Sequence, residues 1–497
     1  MREQLALLPG YLAAHLQLTL LALALGVGLS VPLGVLVSRS RRLEGAVLGV
    51  ASAIQTIPSL ALLAFMVPAL AALGLTSIGF LPALLGLFLY SILPILRNTV
   101  AGLAAVDPAL IEAARGVGMT PREQLRRVEL PLAMPFIVAG IRTSAVWTVG
   151  TATLSTPVGA PSLGNYIFSG LQTRNYAAVL VGCVAAAALA LLLDALVRAL
   201  EAGVRDRRRA LVWVSVGALG LLGAFAAGAA ARDLARRDDD RVAIGSKTFT
   251  ESYILSRIVA GELARATGLP TEAVESLGST VAFDALKSGQ IGAYVDYSGT
   301  IWATIMKRTE VPRDRAEVLR EVERYLLAEH GIVVAAALGF ENAYALAMRR
   351  EDAVRLGVRT IGELGARARS LAFGGDYEFF QRPEWRAVEQ VYGLAPREKR
   401  SMDPSLMYEA IRTGQVDVIS AFSTDGRIVS YDLQVLEDDR GAIPPYDAIV
   451  LASAQLAREQ PEAIAALRAL AGSIASASMH GEAPSAVAER FLRERSR

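Results

Sequence analysis

The sequence predicts a chain in two unlike parts: an N-terminal all-α polytopic membrane domain and a C-terminal α/β domain of two lobes. Three observations carry this. Of the 497 residues, 53% are hydrophobic, and mean hydropathy is +0.39, too apolar for an ordinary soluble enzyme. The apolar excess is confined: residues 1–231 are dominated by Leu, Ala, Val and Gly, whereas residues 242–497 carry charges throughout. In that second part, short strand-like runs alternate with helical patterns, as in an α/β fold.

A span needs about 20 apolar residues. Six segments qualify: 16–37, 47–73, 78–96, 136–155, 177–197 and 211–230. The second holds Pro58 and Pro68, which predicts a kink or a partly re-entrant path; the 156–176 segment has room for short non-spanning helices. Arginines order the topology. Arg39, Arg41 and Arg42 follow the first span. Arg97, Arg115, Arg122, Arg126 and Arg127 lie between the third and fourth, and Arg198, Arg205, Arg207, Arg208 and Arg209 between the fifth and sixth. The alternate loops hold Arg174 alone. By the positive-inside rule the arginine-rich loops are cytoplasmic, so the N-terminus and the C-terminal half lie outside. The boundaries are then 1–210 for the membrane domain, 211–241 for the sixth span and a tether, and 242–497 for the soluble domain, with one lobe at about 242–345 and 441–497 and the other at about 346–440.

Other classes are disfavoured. Net charge is +2 with no basic stripe, so no nucleic-acid partner is expected. Cys183 stands alone, which forbids an intramolecular disulfide. His15, His330 and His480 are scattered without metal-ligand spacing. The apolar start lacks the cleavage pattern of a signal peptide. Ser423 and Asp425 have no histidine near them in sequence and no nucleophile elbow, against hydrolase chemistry.

The cytoplasmic stretch "EAARGVGMTPREQLRRVELP" (112–131) is charged, glycine-punctuated and helix-prone. It predicts two short helices, Ile111–Arg115 and Pro121–Val128, around a Gly116–Gly118 turn. Thr120 is placed as N-cap with Pro121 at the first helical position, and Leu130–Pro131 as the stop. Such a helix suits a groove in a cytoplasmic partner; a solvated loop is the alternative.

In the soluble part, a strand at Val242–Ile244 leads through a turn to a helix over Thr250–Thr267, capped by Thr250 or Thr248. Strands follow within 331–337, 370–375 and 416–423, in mostly parallel sheets. Gly245-Ser246-Lys247-Thr248 lacks the spacing of a phosphate-binding loop. No other such cradle occurs, so any ATP chemistry belongs to a separate subunit. That turn offers backbone N–H groups for a ligand carboxylate.

The 112–131 stretch, with Glu112-Ala113-Ala114, Gly118 and Val128-Glu129-Leu130-Pro131, resembles the EAA signature of ABC-importer permeases. With "WTVGTATL" (147–154) and "GAPSLGNYIFSGL" (159–171), the membrane half looks like the glycine betaine/carnitine/choline permease family. In the soluble half, "GSKTFTESYIL" (245–255), "YVDYSGT" (294–300), "ENAYALAM" (341–348), "AFSTDGRI" (421–428) and "PPYDAIVL" (444–451) resemble substrate-binding proteins for quaternary ammonium osmoprotectants. Together these imply a fusion of a binding-protein-dependent ABC permease with a type II periplasmic-binding-protein-like domain.

The resemblance implies that Glu112, Ala113, Ala114 and Gly118 belong to a coupling helix seated in an ATP-binding subunit. It implies a multi-pass protein of the bacterial inner (cytoplasmic) membrane, a homodimer with two ATPases, and ATP and Mg held by the ATPase only. Tyr297, Tyr344, Phe422 and Tyr446 become the walls of an aromatic cage. A methylated cation cannot donate N–H bonds, so aromatic faces select it, each giving about 0.5–2 kcal/mol. Four walls give roughly 6–8 kcal/mol, near the ~8 kcal/mol of micromolar binding before ordering costs, so polar contacts must add to them. Ser246, Ser252, Thr424 and Asp447 are further ligand candidates. Asp296, Ser298, Thr300, Ser423 and Asp425 suit either the cleft or turns and caps; Asp376, Tyr377 and Arg382 are candidates in the second lobe, and Trp302 is assigned to the core. Related receptors commonly carry Gln where this chain has Ser252, Tyr where it has Phe422, and Gln where it has Asp447. An acid at 447 favours extra positive charge or an N–H donor, so ergothioneine competes with glycine betaine, choline and carnitine as the cargo. A ligand-gated sensor or channel is the remote alternative; it would not need the EAA loop.

Overall fold

The computed structural model describes residues 2–172, 175–235, 241–308, 314–376, 379–474 and 484–495. The chain divides into two compact units, one built mainly from residues 1–239 and the other mainly from 240–497.

The first unit is helical. In order it has α1 (Arg2–Val37), α2 (Arg41–Thr56), α3 (Ser59–Ala72), α4 (Phe80–Ala104), α5 (Pro108–Gly116), α6 (Pro121–Gln124), a π-helical turn (Leu125–Glu129), α7 (Leu130–Ala152), a 3-10 turn (Thr153–Val158), α8 (Gly164–Gln172), α9 (Tyr176–Arg205) and α10 (Arg209–Ala235). Five helical stretches are long and apolar enough to cross a membrane, and α2 with α3 forms a further pair bent by 99°. The bend falls at Pro58. Ile57 before it is extended (φ −67°, ψ 129°), as proline demands of the preceding residue, and Pro58 is the residue that caps α3.

The helices meet through small residues. A Cβ on Gly26 of α1 would lie 2.1 Å from Ser91 Oγ of α4, and one on Gly140 of α7 would lie 2.7 Å from Asn98 Cβ and 2.8 Å from Pro94 O of α4. Lipid offers no hydrophobic drive between helices, so close backbone approach holds them instead. Polar groups inside the unit are paired. Buried His15 of α1 donates from Nε2 to Val149 O (3.1 Å) and accepts at Nδ1 from Leu163 N–H (3.4 Å). Arg142 of α7 pairs with Asp194 (2.6 Å) and Glu201 (3.4 Å) of α9.

The expected stop at Leu130–Pro131 is not found: the helix runs on into α7. A proline crowds the carbonyl four residues back and supplies no donor. Here a widened π turn immediately precedes it, and that turn relieves the clash.

The second unit begins with β1 (Val242–Lys247), α11 (Thr250–Thr267), β2 (Thr271–Leu277), α12 (Ser279–Lys287), β3 (Ala293–Tyr297), α13 (Ser298–Thr300) with a π turn (Ile301–Ile305), α14 (Arg315–His330) and β4 (Val333–Glu341). It crosses to β5 (Tyr344–Arg349), α15 (Arg350–Leu356), α16 (Ile361–Gly365), β6 (Ala372–Gly375), α17 (Pro383–Tyr392), β7 (Glu398–Ser401), α18 (Pro404–Arg412), β8 (Val418–Phe422), α19 (Arg427–Ser430) and β9 (Leu433–Val435). It then returns to β10 (Asp447–Ala452), α20 (Ala454–Glu459), α21 (Pro461–Arg468) and α22 (Pro484–Arg495).

Two five-stranded sheets result, ordered β2-β1-β3-β10-β4 and β7-β6-β8-β5-β9. They are mixed rather than mostly parallel. β1/β3, β6/β7 and β6/β8 are parallel, but β10 runs antiparallel to β3 and β4, and β5 to β8 and β9. Each reversed strand is the first after a crossing between sheets, where no helical crossover sets a parallel sense. Neither Thr248 nor Thr250 caps α11. Phe249 holds that position without a side-chain bond.

Replacing Gly140 by Val should force α4 and α7 apart and destabilise the first unit by about 1–3 kcal/mol. Thermal unfolding of the detergent-solubilised chain should show a lowered midpoint. Gly150→Ala, whose Cβ would meet nothing within 4 Å, should leave it unchanged.

Candidate functional site

The predicted cage residues come from strand ends and the crossings between the sheets. Tyr297 ends β3, Tyr344 opens β5, Phe422 ends β8, and Tyr446 immediately precedes β10. The rings form a continuous strip. Phe422 lies 4.8 Å from Tyr344 between centroids, and Tyr344 meets Tyr446 edge-on at 6.0 Å. Phe249 links the remaining wall, 6.1 Å from Phe422 and 6.1 Å from Tyr297. Gly299 makes room for this arrangement: a Cβ there would sit 2.6 Å from the Tyr446 ring.

One end of the strip is acidic. Glu251, in the first turn of α11, accepts at Oε1 from Tyr297 OH (2.5 Å) and Asn342 Nδ2 (3.0 Å), and at Oε2 from Thr424 Oγ1. Its donors come from β3, from the β4–β5 crossing and from the loop after β8. No cation pairs with it among the described residues. Burial, reinforced by nearby Asp425, pushes its carboxyl above the usual range despite those three bonds. Tyr297 is held protonated by burial and by that carboxylate.

The other end holds a buried ion pair of Arg382 with Glu384. The Arg382 guanidinium stacks on Tyr344, 5.1 Å from its centroid. Its Nη2 donates to Glu384 Oε1 (3.0 Å) and to Thr304 Oγ1 (3.2 Å), while Tyr446 OH donates to the same Glu384 oxygen. Burial alone would lower the Arg382 pKa, yet Tyr344, Tyr446 and Glu384 hold it above the ordinary guanidinium value. A strip of π faces closed by an acid at one end and a guanidinium at the other is complementary to a small cation or zwitterion.

The remaining candidates divide. Thr424 joins the strip through Glu251. Ser252 is buried and accepts from Lys247 N–H (2.8 Å), and Ser246 Oγ is buried with no partner among the described residues. Asp447 is held by Arg315 of α14, whose Nε (2.6 Å) and Nη2 (2.5 Å) both reach Oδ1; its Oδ2 has no partner among the described residues. This pair ties Asp447 to α14. Asp296 pairs with buried Lys247 and accepts from Tyr294 OH (2.6 Å). Ser298 spans Pro445 O and Asp447 N–H. Thr300 is buried beside it. Ser423 exchanges two bonds with Ala343, and Asp425 pairs with Arg427. Asp376 accepts from Tyr344 OH (3.2 Å). Trp302 is buried beneath Arg308. Tyr377 lies outside the described residues.

Phe249, Glu251, Gly299 and Glu384 were not singled out from the sequence. Phe249 and Glu251 sit inside the "FTES" stretch, but an acid in a first helical turn is an ordinary response to the helix dipole.

In the first unit, Glu112, Ala113 and Ala114 lie on α5, the first two exposed and Ala114 buried. Asp107 caps α5 by accepting from Ala109 N–H (2.9 Å). Gly118 is exposed with φ +81°, the left-handed region that glycine tolerates. Thr120 caps α6 in a reciprocal pair with Glu123.

Comparison with known proteins agrees with both units. Residues 240–494 match the family described as the substrate binding domain of ABC-type glycine betaine transport systems. Residues 26–206 match the inner membrane component of binding-protein-dependent transport systems. The ergothioneine transport permease/ergothioneine binding protein EgtU of Helicobacter pylori (strain G27) is 29% identical over 93% of this chain and 85% of that protein. The choline transport system permease protein OpuBB of Bacillus subtilis (strain 168) is 46% identical over 36% of this chain and 80% of that protein. The osmoprotectant import permease protein OsmW of Salmonella typhimurium is 42% identical over 39% of this chain and 91% of that protein. With its apolar helices, the chain is thus a multi-pass membrane protein of the ABC-importer permease family, fused to a substrate-binding domain of the glycine betaine transport family.

Proposed function

We propose that this chain is the permease and receptor of an ATP-driven importer of quaternary ammonium compounds of the glycine betaine, choline and carnitine type. The observation that carries the ligand class is the strip of rings between Glu251 and Arg382. A trimethylammonium group lies against the rings toward Glu251, and a ligand carboxylate, where there is one, lies toward Arg382. Residues 1–210 form the half-pore, 211–241 the sixth span and tether, and 242–497 the receptor. The chain sits in the bacterial inner membrane with the receptor outside, in keeping with its arginine-rich loops. It works as a homodimer with two ATP-binding subunits, into which the Glu112–Gly118 loop couples. The ligand draws the two sheets together, and ATP-driven closure of the ATPases alternates access through the spans.

A second reading, an ergothioneine importer, has its own support. The Helicobacter relative is similar across both units in one chain, and Glu251 can accept from an N–H donor that glycine betaine lacks.

Calorimetric titration of the full detergent-solubilised chain with glycine betaine, choline, carnitine and ergothioneine decides between them. Binding of the small compounds supports the first reading, and ergothioneine alone the second. Tyr297→Ala and Tyr344→Ala should each weaken binding about 3- to 30-fold. If no methylated cation binds, or if neither substitution matters, the cage is wrong.

Glu251 also makes binding pH-dependent. Its carboxyl is raised in the free site, so it is neutral at acid pH and ionises as pH climbs. The ionised form attracts the cation, so affinity should rise with pH across that titration. Glu251→Gln should weaken binding and flatten the profile. An unchanged profile would remove Glu251 from the ligand's surroundings.

A further inference from the structure

At the base of the Glu112–Gly118 loop, Arg39 meets two residues of the 112–131 stretch, Gln124 and Glu129. Glu129 is only 2% exposed. Its Oε2 accepts from Arg39 Nη2 at 2.7 Å and its Oε1 from Gln124 Nε2 at 2.6 Å. Arg39 lies in the short turn between α1 and α2. Gln124 and Glu129 bracket the π turn. In a regular α-helix, residues five apart point about 140° away from each other. The wide turn, closed by Leu130 N–H onto Leu125 O, brings them onto one face. Its single extra residue is what lets the Gln124 amide reach Glu129.

This junction is mechanically continuous. α5 packs against the π turn. Leu125 and Leu130 share an apolar cluster with Val31 and Val35 of α1, Leu103 of α4 and Ile137 of α7. The apolar cluster already fastens the turn to the bundle. Arg39 is half exposed while Glu129 is buried, so the pair compensates a carboxylate withdrawn from water. What the pair adds is direction: it ties the turn after the first span to one face of the loop's base.

We propose that Arg39, Glu129 and Gln124 form a clasp that carries movement of the Glu112–Gly118 loop into α1 and α2. These are positioning residues and do not touch ligand or nucleotide. The inference rests on the importer reading.

The test uses the full chain co-reconstituted in proteoliposomes with an ATP-binding subunit that copurifies with it. Uptake of radiolabelled glycine betaine and ergothioneine is read alongside ATP hydrolysis. Arg39→Ala and Glu129→Gln should keep ATPase association and hydrolysis but lower uptake per ATP about 5-fold or more. Arg39→Lys, which keeps one charged donor, should recover part of it. Unchanged uptake per ATP in both variants would overturn the clasp. So would a loss that only follows the amount of assembled protein, since that is what a purely structural role gives. Absence of ATP-dependent uptake by the wild-type chain would overturn the importer reading itself, and the clasp with it.

Discussion

A carboxylate withdrawn from water needs donors, and Glu251 gathers three from three separate stretches of chain. Tyr297 comes from the first sheet, Thr424 from a loop of the second, and Asn342 from the crossing between them. The ring strip depends on this junction, because Tyr297 is oriented through its hydroxyl and Thr424 follows Phe422 by two residues. The same junction explains why the site lies at strand ends. Only there do both sheets and their connecting segments come within reach of one side chain.

Much of the architecture is legible in the sequence because its causes are local. Lipid demands apolar runs of a fixed length, and the chain supplies them. Pro58 marks the break between α2 and α3 because a proline forces its predecessor to be extended. The four ring residues are legible through family-like stretches, and they do converge. What the sequence hides is whatever depends on tertiary pairing. Thr248 and Thr250 have the chemistry of caps, but Phe249 holds the cap position without a side-chain bond. Asp447 neighbours Tyr446 in sequence, yet its partner is Arg315 of α14. Glu251 looks like any first-turn acid until its three donors are seen. The π turn before Pro131 is only partly legible, since Pro131 and Gln124 are local but Arg39, which meets Glu129, is remote in sequence.

The two units solve the same problem of polar groups away from water by different means. In the helical unit, charges are few and each described one inside the bundle has a partner, as Arg142 has in Asp194 and Glu201. Close contacts come from glycines such as Gly26 and Gly140. In the α/β unit some of the buried charges flank the strip, where Glu384 serves both Arg382 and Tyr446. The first device builds a bundle of closely approached helices. The second builds a polar frame around aromatic faces without leaving those faces solvated.

The order of strands has a further consequence, for the time at which this protein becomes a protein. β10 lies in the middle of its sheet, between β3 and β4, yet among the described strands it is the last made. Until residue 452 has left the ribosome, that sheet exists as two fragments with a gap where their hydrogen bonds should meet. The second sheet is wholly synthesised in the meantime and can settle first. The nascent chain therefore holds an open strand edge in waiting, with its membrane helices already made, and closes it only once β10 has been made.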